Sequence, residues 1–465
     1  MIRAHYDEKW TNRFRGFGFE GLKSGETMRP ASKQAQSQKE MFRVELEHLV
    51  DQQHPLVRLG QKINWSIFDE SLGASYHPTQ GAPGINTRLM VSLHYLKYQH
   101  DLSDAAVVEV WVENPYWQHF SGEQFFQHEM PIDASSMTRW RKRLGASGAE
   151  QLLRETIETG IRMKAIKPSQ MKRINVDTTV QEKAIRYPTD ARSYNRMRER
   201  LVKAARGAGL RVKQSYERVG PRLLMESGRY AHARQMKRSR ASTRKLRTCL
   251  GRVMREIERQ KVEEGSELAQ LLQTAQRIHA QKPQDKHKVY SVHEPQVECI
   301  SKGKSGKKYE FGNKVSVAVS SVGGWVLGSL SLEGNPYDGH TLAAQMQQVH
   351  RLIGDGKVSE VHVDMGYRKH GYDGAETIHV DKRSRGRTPK RLWRWMKRRA
   401  AVEPTIGHLK SEHRLDRNRL KGTTGDAINA MLSAAGMNLQ KLLGAFLRFL
   451  LGQLLERDNA LLAGN

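Results

Sequence analysis

A long, intensely basic stretch separates a strand-like run that closes on Asp177 from the next such run, which begins at Tyr309. That division constrains the fold more than any other feature. Between Ala191 and Lys261 there are 22 lysines and arginines against 5 acids, a surplus of 17 within a chain whose formal net charge is +29. The pattern there is helical, and charge of this density belongs on a solvated surface or against phosphates. It therefore interrupts a sheet as an insertion. The strand-like runs around it are Arg173 to Asp177, the hairpin of Lys314–Val319 and Trp325–Leu330 turned by Gly323-Gly324, then Val358–Val363 and Thr377–Val380. A helix over Thr341–Ile353 separates the hairpin from the last two. Strand, insertion, hairpin, helix, strand, strand, helix suits an α/β fold with a mixed sheet and helices packed on it.

Residues 1–40 are polar and glycine-bearing, the pattern of a loose arm. Residues 41–166 read as helical. Leu89, Leu93 and Leu96 share one face, and Ser103 is placed to cap the next helix. The run after Asp133 is a capped basic helix carrying Arg139, Arg141, Lys142 and Arg143. It is either a DNA-recognition helix or a solvated basic face over buried Met137, Trp140 and Leu144. The expected α/β core covers 167–190 and 289–425, the basic helical insertion 191–288, and a C-terminal helical segment 426–465. That last segment is broken by Asn429, Asn438, Lys441 and Arg448, too polar for a bilayer, so no membrane partner is expected. The first residues lack the apolar core of a signal peptide, and Cys249 and Cys299 form no CxxC pair. A reducing, cytoplasmic setting is expected.

Three acids stand out: Asp177 and Asp364 at strand-like runs, and Glu403 on a later helix. Carboxylates at strand ends reach the sheet edge, where a hard dication and a phosphate can approach. Arg399 lies four residues before Glu403 and Lys410 seven after, one face of a continuous helix, although Pro404 interrupts a backbone donor there. An ordinary salt-bridged helix would show the same trio. In the insertion, Arg238, Arg244 and Lys245 lead a crowd of cations suited to DNA phosphates. Gly303-Lys304-Ser305 is not a nucleotide loop, because Glu298 occupies the position of its first glycine.

Several runs together resemble the bacterial insertion-sequence transposases of the DDE class, closest to the insertion sequence five group. They are Asp177-Thr178-Thr179-Val180-Gln181-Glu182-Lys183, Asn335-Pro336-Tyr337-Asp338-Gly339-His340, Val363-Asp364-Met365-Gly366-Tyr367-Arg368, and Arg399-x3-Glu403-x6-Lys410. Asn114–Phe120 and Trp140–Gly145 are similar to that group's helical N-terminal domain. The resemblance spans roughly residues 40 to 425. It implies an RNase H-like core whose Asp177, Asp364 and Glu403 bind two Mg²⁺ ions (Mn²⁺ as a substitute). It also implies a helical N-terminal DNA-binding domain, contacts from Arg399 and Lys410 to transposon-end DNA, and a homodimer or larger assembly on double-stranded end and target DNA. The chain departs from the group at Met396, where tyrosine is frequent. Asp338 competes with Asp364 for the second acid, but its Asn-Pro-Tyr-Asp-Gly setting reads as a turn before a helix. A catalytically inactive sequence-specific DNA-binding protein and an RNase H-like nuclease without strand transfer are the alternative functions.

Overall fold

A computed structural model describes residues 27–28, 44–73, 82–282, 284–301 and 308–463. The arm expected over 1–40 lies outside these, apart from Thr27–Met28, which pair in parallel with Ala82–Pro83. Gly303-Lys304-Ser305 also lies outside them.

The N-terminal part is built of α1 (Pro55–Lys62), α2 (Ser66–Gly73), α3 (Thr87–Gln99), α4 (Asp104–Glu113), α5 (Pro115–Phe120) and α6 (Ala134–Arg162). Polar caps start them: Asn86 Oδ1 accepts from Leu89 N at 3.1 Å and Ser103 Oγ from Ala106 N at 3.0 Å. Burial of α3 goes beyond the leucine face, taking in Ser92, His94 and Lys97 as well. The helix after Asp133 does not stop at Gly145. That glycine takes φ +62° at a kink, and the helix resumes to Arg162.

Next come β1 (Arg173–Lys183), the helices α7 (Asp190–Gly207), α8 (Val219–His232), α9 (Met236–Glu258) and α10 (Glu267–Ala280), then β2 (Glu298–Ser301), β3 (Tyr309–Ser320) and β4 (Val326–Leu332). The chain continues through α11 (Leu342–Ile353), β5 (Glu360–Val363), β6 (Thr377–Val380), α12 (Lys390–Arg398), α13 (Val402–Glu412), β7 (Arg417–Asn418) and the long α14 (Gly422–Ala463). The result is a mixed α/β fold with an open mixed sheet.

In the sheet, β4, β3, β1, β5 and β6 lie side by side in that order. β3 runs antiparallel to β1 and β4, while β1, β5 and β6 are parallel. The strand alternation gives each face its role. Ile174, Val176, Val361 and Val363 turn to one side, in the core shared with α6, α11 and α14. Arg173, Asn175 and Asp177 turn to the other, level with Glu360 and His362 in register. Over that second face lies the α12–α13 segment: Asn175 Nδ2 donates to Arg398 O at 3.4 Å, and Arg398 Nε to Ser321 O at 2.6 Å. Gly312 is required where β3 crosses β1, since a Cβ there would fall 1.9 Å from Gln181 O.

The helices α7–α10 enclose a second core of Leu201, Leu250, Val253, Ile257, Leu271 and Ile278. One side of α9 supplies that core while Arg238, Arg240, Arg244, Lys245 and Arg247 stand exposed on the other. A buried ionic cluster ties the insertion's return to the sheet. Lys183, at the end of β1, pairs with Asp426 on α14 and, at 3.2 Å, with Glu294. No helix among the described residues is long and apolar enough to cross a membrane.

Candidate active site

Asp177 sits mid-strand in β1, and Asp364 immediately follows β5 on the same sheet face. Asp364 caps a short 3₁₀ turn, accepting from Gly366 N at 2.8 Å. Asp338, in the turn before α11, is drawn to the same place. It accepts from Thr178 Oγ1 at 2.8 Å and Lys314 Nζ at 2.9 Å. A Cβ on Gly366 would lie 3.0 Å from Asp364 Oδ1 and 3.2 Å from Asp338 Oδ2, so a glycine lets these two carboxylates close over the turn.

Asp381 follows β6 as Asp364 follows β5. Arg399 reaches into this acidic space, with Nη1 3.5 Å from Asp177 Oδ2, Nε 3.5 Å from Asp381 Oδ2 and Nη2 3.9 Å from Glu403 Oε1. All three contacts are long, and Nε has no hydrogen-bond partner. The charges attract without tight bonds.

Burial raises the Asp364 carboxyl above its ordinary range, and Asp338 and Asp381 add to this, while Gly366 N–H and Arg399 oppose it. Tyr367 lies buried beneath the cluster. Burial pushes its hydroxyl up, with further contributions from Asp177, Asp338 and Asp364. The acids at this end of the face offer only hard oxygen donors, the set that suits Mg²⁺ or Mn²⁺.

Glu403 is placed differently. Arg399–Ala401 form a 3₁₀ turn, and α13 begins at Val402, so Arg399 and Glu403 do not lie on one continuous helix. Pro404 falls in the first turn of α13, where its missing donor has no intrahelical partner to lose. Glu403 is 67% exposed and faces the cluster across Arg399. Among the described residues, one group of three His, Cys, Asp or Glu side chains has all its ligand atoms within 4.8 Å of one another: Glu360, His362 and His379. Asp177, Asp364 and Glu403 form no such group.

The expected DNA contacts divide by burial. Arg139 and Arg143 are exposed on α6, as are Arg238, Arg244 and Lys245 on α9, and Lys410 is half-buried on α13. Arg141 is only 4% exposed. It turns inward to Asp104, with Nη1 2.9 Å from Oδ1, and Lys97 Nζ donates to the same oxygen at 2.7 Å. Arg141 thus joins α6 to α4 and offers nothing to a groove. Met396 is buried, so that position presents no side chain to solvent-borne DNA.

Sequence reasoning missed Asp381 and set Asp338 aside. For Asp381 the signal was present, an aspartate directly after a strand-like run, as at Asp364. For Asp338 the turn motif was read correctly, since it opens a 3₁₀ turn. What pattern could not supply was that the turn folds back over Gly366.

Two family models match the chain. Residues 44–143 match the model described as "Transposase domain (DUF772)", and residues 362–443 the model described as "Transposase DDE domain". The chain is also 50% identical over 208 residues to a Rhizobium meliloti protein described as "Uncharacterized protein ORF8 in nfe locus". That match covers the whole of the relative and 45% of this chain. No solved structure matches.

Proposed function

We propose that the chain is a DDE transposase, as its two matched transposase domains indicate, and that it binds the inverted-repeat ends of an element, cleaves DNA strands there and joins the 3′ ends to target DNA. The observation that carries this reading is the convergence of Asp177 and Asp364 from adjacent parallel strands, with Arg399 set between Asp177, Asp381 and Glu403. The strand order β4-β3-β1-β5-β6, with β3 alone reversed, supports an RNase H-like core over residues 167–190 and 289–425. Likeness to the insertion sequence five group is carried by the motifs of that core, together with Asn114–Phe120 and Trp140–Gly145 of the helical region.

Asp177, Asp364 and Glu403 would hold the divalent ions, with Mg²⁺ as the expected species. Such ions, when bound, lower the pKa of an attacking water or hydroxyl and stabilise the leaving oxygen. Asp364 is suited to this by its raised proton affinity, since a crowded carboxylate gains most when its charge is neutralised. Asp338 is already neutralised by Lys314, which favours Asp364 as the second acid. Arg399 restrains the acids and offers donors to a phosphate, and Lys410 extends the positive face of α13.

Exposed Arg139 and Arg143, in the helical region 41–166, and Arg238, Arg244 and Lys245, in the insertion 191–288, would track DNA phosphates. Pairing two ends in one reaction calls for at least a dimer on DNA. The setting that fits such a substrate is the cytoplasm.

The test is Mg²⁺-dependent cleavage and joining on DNA carrying the element's own ends, comparing wild type with Asp364→Asn. Loss of both reactions in the variant with end binding retained supports the assignment, and equal cleavage removes Asp364 from it. Cleavage without joining would move the reading to a nuclease. Binding without cleavage by wild type would move it to an inactive DNA-binding protein.

A further inference from the structure

We propose that Glu360, His362 and His379 form a second metal site, for a zinc-type transition-metal dication, on the same sheet face as Asp364 and just before it along β5.

The backbone places these ligands. Glu360 and His362 are two residues apart on β5, so both side chains turn to one face. The parallel register sets His379 of β6 directly beside His362, and the two rings stack at 4.9 Å. Glu360 Oε2 lies 3.7 Å from His362 Nε2 and 3.8 Å from His379 Nε2. In a tetrahedral site with bonds of about 2.0–2.1 Å, ligand atoms stand about 3.4 Å apart. The two Glu360 contacts need a contraction of only a few tenths of an ångström, and all three ligand atoms already lie within 4.8 Å of one another.

His362 is the observation that demands a ligand. Its side chain is 1% exposed, and neither ring nitrogen has a hydrogen-bond partner. The Glu360 oxygen at 3.7 Å is too distant for one. Leaving a buried polar atom unmatched costs about 1–3 kcal/mol. A dication would take the Nε2 lone pair and relieve that part of the penalty, leaving Nδ1 to be matched separately.

Glu360 is already oriented from outside the site. Arg173 donates Nε to Oε2 at 2.9 Å and Nη2 to Oε1 at 2.8 Å, and its guanidinium rests 4.9 Å from the Trp395 ring centroid. Ligating carboxylates are commonly held by such outer bonds. Two imidazoles favour Zn²⁺, Co²⁺ or Ni²⁺ over Mg²⁺, which prefers oxygen. Partial exposure of Glu360 and His379, 24% and 18%, leaves a route in and room for a water as fourth ligand. A metal here would clip β5 to β6 just upstream of Asp364 and Asp381.

The experiment is Zn²⁺ titration against a chromogenic chelator with Mg²⁺ in excess, and Co²⁺ absorption spectra, on the full chain. Wild type is expected to hold one Zn²⁺ per chain and to show tetrahedral Co²⁺ bands. Asp177→Asn should leave both unchanged, whereas His379→Gln should weaken Zn²⁺ binding about tenfold or more and abolish the bands. His379 is the variant of choice because it is partly exposed, and a far-UV spectrum and melt matching wild type will establish that it folds. Absence of stoichiometric Zn²⁺ in wild type overturns the proposal, as does equal binding by folded His379→Gln. Loss of Zn²⁺ in Asp177→Asn instead would place the metal among the aspartates and also overturn it. None of these readouts depends on DNA cleavage.

Discussion

Arg399→Met removes the guanidinium that lies 3.5 Å from Asp177, 3.5 Å from Asp381 and 3.9 Å from Glu403. At an effective dielectric of about 20, each 3.5 Å contact carries a gross attraction of about 5 kcal/mol. Desolvation of the charges offsets much of that, and none of the contacts is a short hydrogen bond. Glu403, largely exposed, adds at most about 1 kcal/mol. Breaking a buried pair by removing one partner costs about 3–5 kcal/mol, and the partial exposure of Asp177 and Asp381 reduces this to about 2–4 kcal/mol at pH 7.

The pH dependence has a definite sign. Burial raises Asp364, Asp338 and Asp381 add to the shift, and Arg399 opposes it. A raised folded-state pKa means that the folded protein binds more protons than the unfolded chain. Its contribution to stability is therefore present at low pH and lost as pH rises from the unfolded toward the folded value. Removing Arg399 extends that interval upward, so the variant's deficit should grow between about pH 4 and neutrality. Urea unfolding of both proteins at the two pH values, with and without Mg²⁺, measures it. Mg²⁺ should shrink the deficit at pH 7 by supplying the missing positive charge. A deficit equal at both pH values, or below about 0.5 kcal/mol at pH 7, would refute the electrostatic account.

Asp364→Asn should raise metal-free stability at pH 7 by about 1 kcal/mol, since it removes a crowded buried charge, and should abolish the stabilisation by Mg²⁺ in thermal melts. Arg141→Ala should cost about 3–5 kcal/mol in urea unfolding, because Asp104 loses a buried partner, whereas exposed Arg143→Ala should stay within about 0.5 kcal/mol. The double variant Arg244→Ala/Lys245→Ala should leave stability nearly unchanged. It should reduce the slope of log binding constant against log salt by about 2 in DNA titrations; an unaltered slope would remove this face of α9 from the interface.

What the sequence determined by itself was local and periodic. The alternation at Ile174–Val176 and Val361–Val363 required strands with one apolar face, Ser103 and Asp133 marked helix starts, and the surplus of cations in 191–261 required a surface insertion. Asp177 and Asp364 were legible because one lies in a strand and the other directly follows one, and strand geometry dictates where the next residue points. Glu403 was found as well, but through its motif; the 3₁₀ turn Arg399–Ala401 interrupts the regular α-helix, yet Arg399 and Glu403 still meet as an i,i+4 pair.

Only the tertiary structure decided which charges face inward. Arg139, Arg141 and Arg143 are near-equivalent in sequence, yet Asp104 on a separate helix takes Arg141 into the interior. Asp338 and Asp381 join the acids because a turn folds over Gly366 and because β6 lies parallel to β5. His362 and His379 meet for the same reason. A residue's spacing along the chain governs its face on one element, but strand order and register govern its neighbours, and these are set by the burial of apolar faces far from the site.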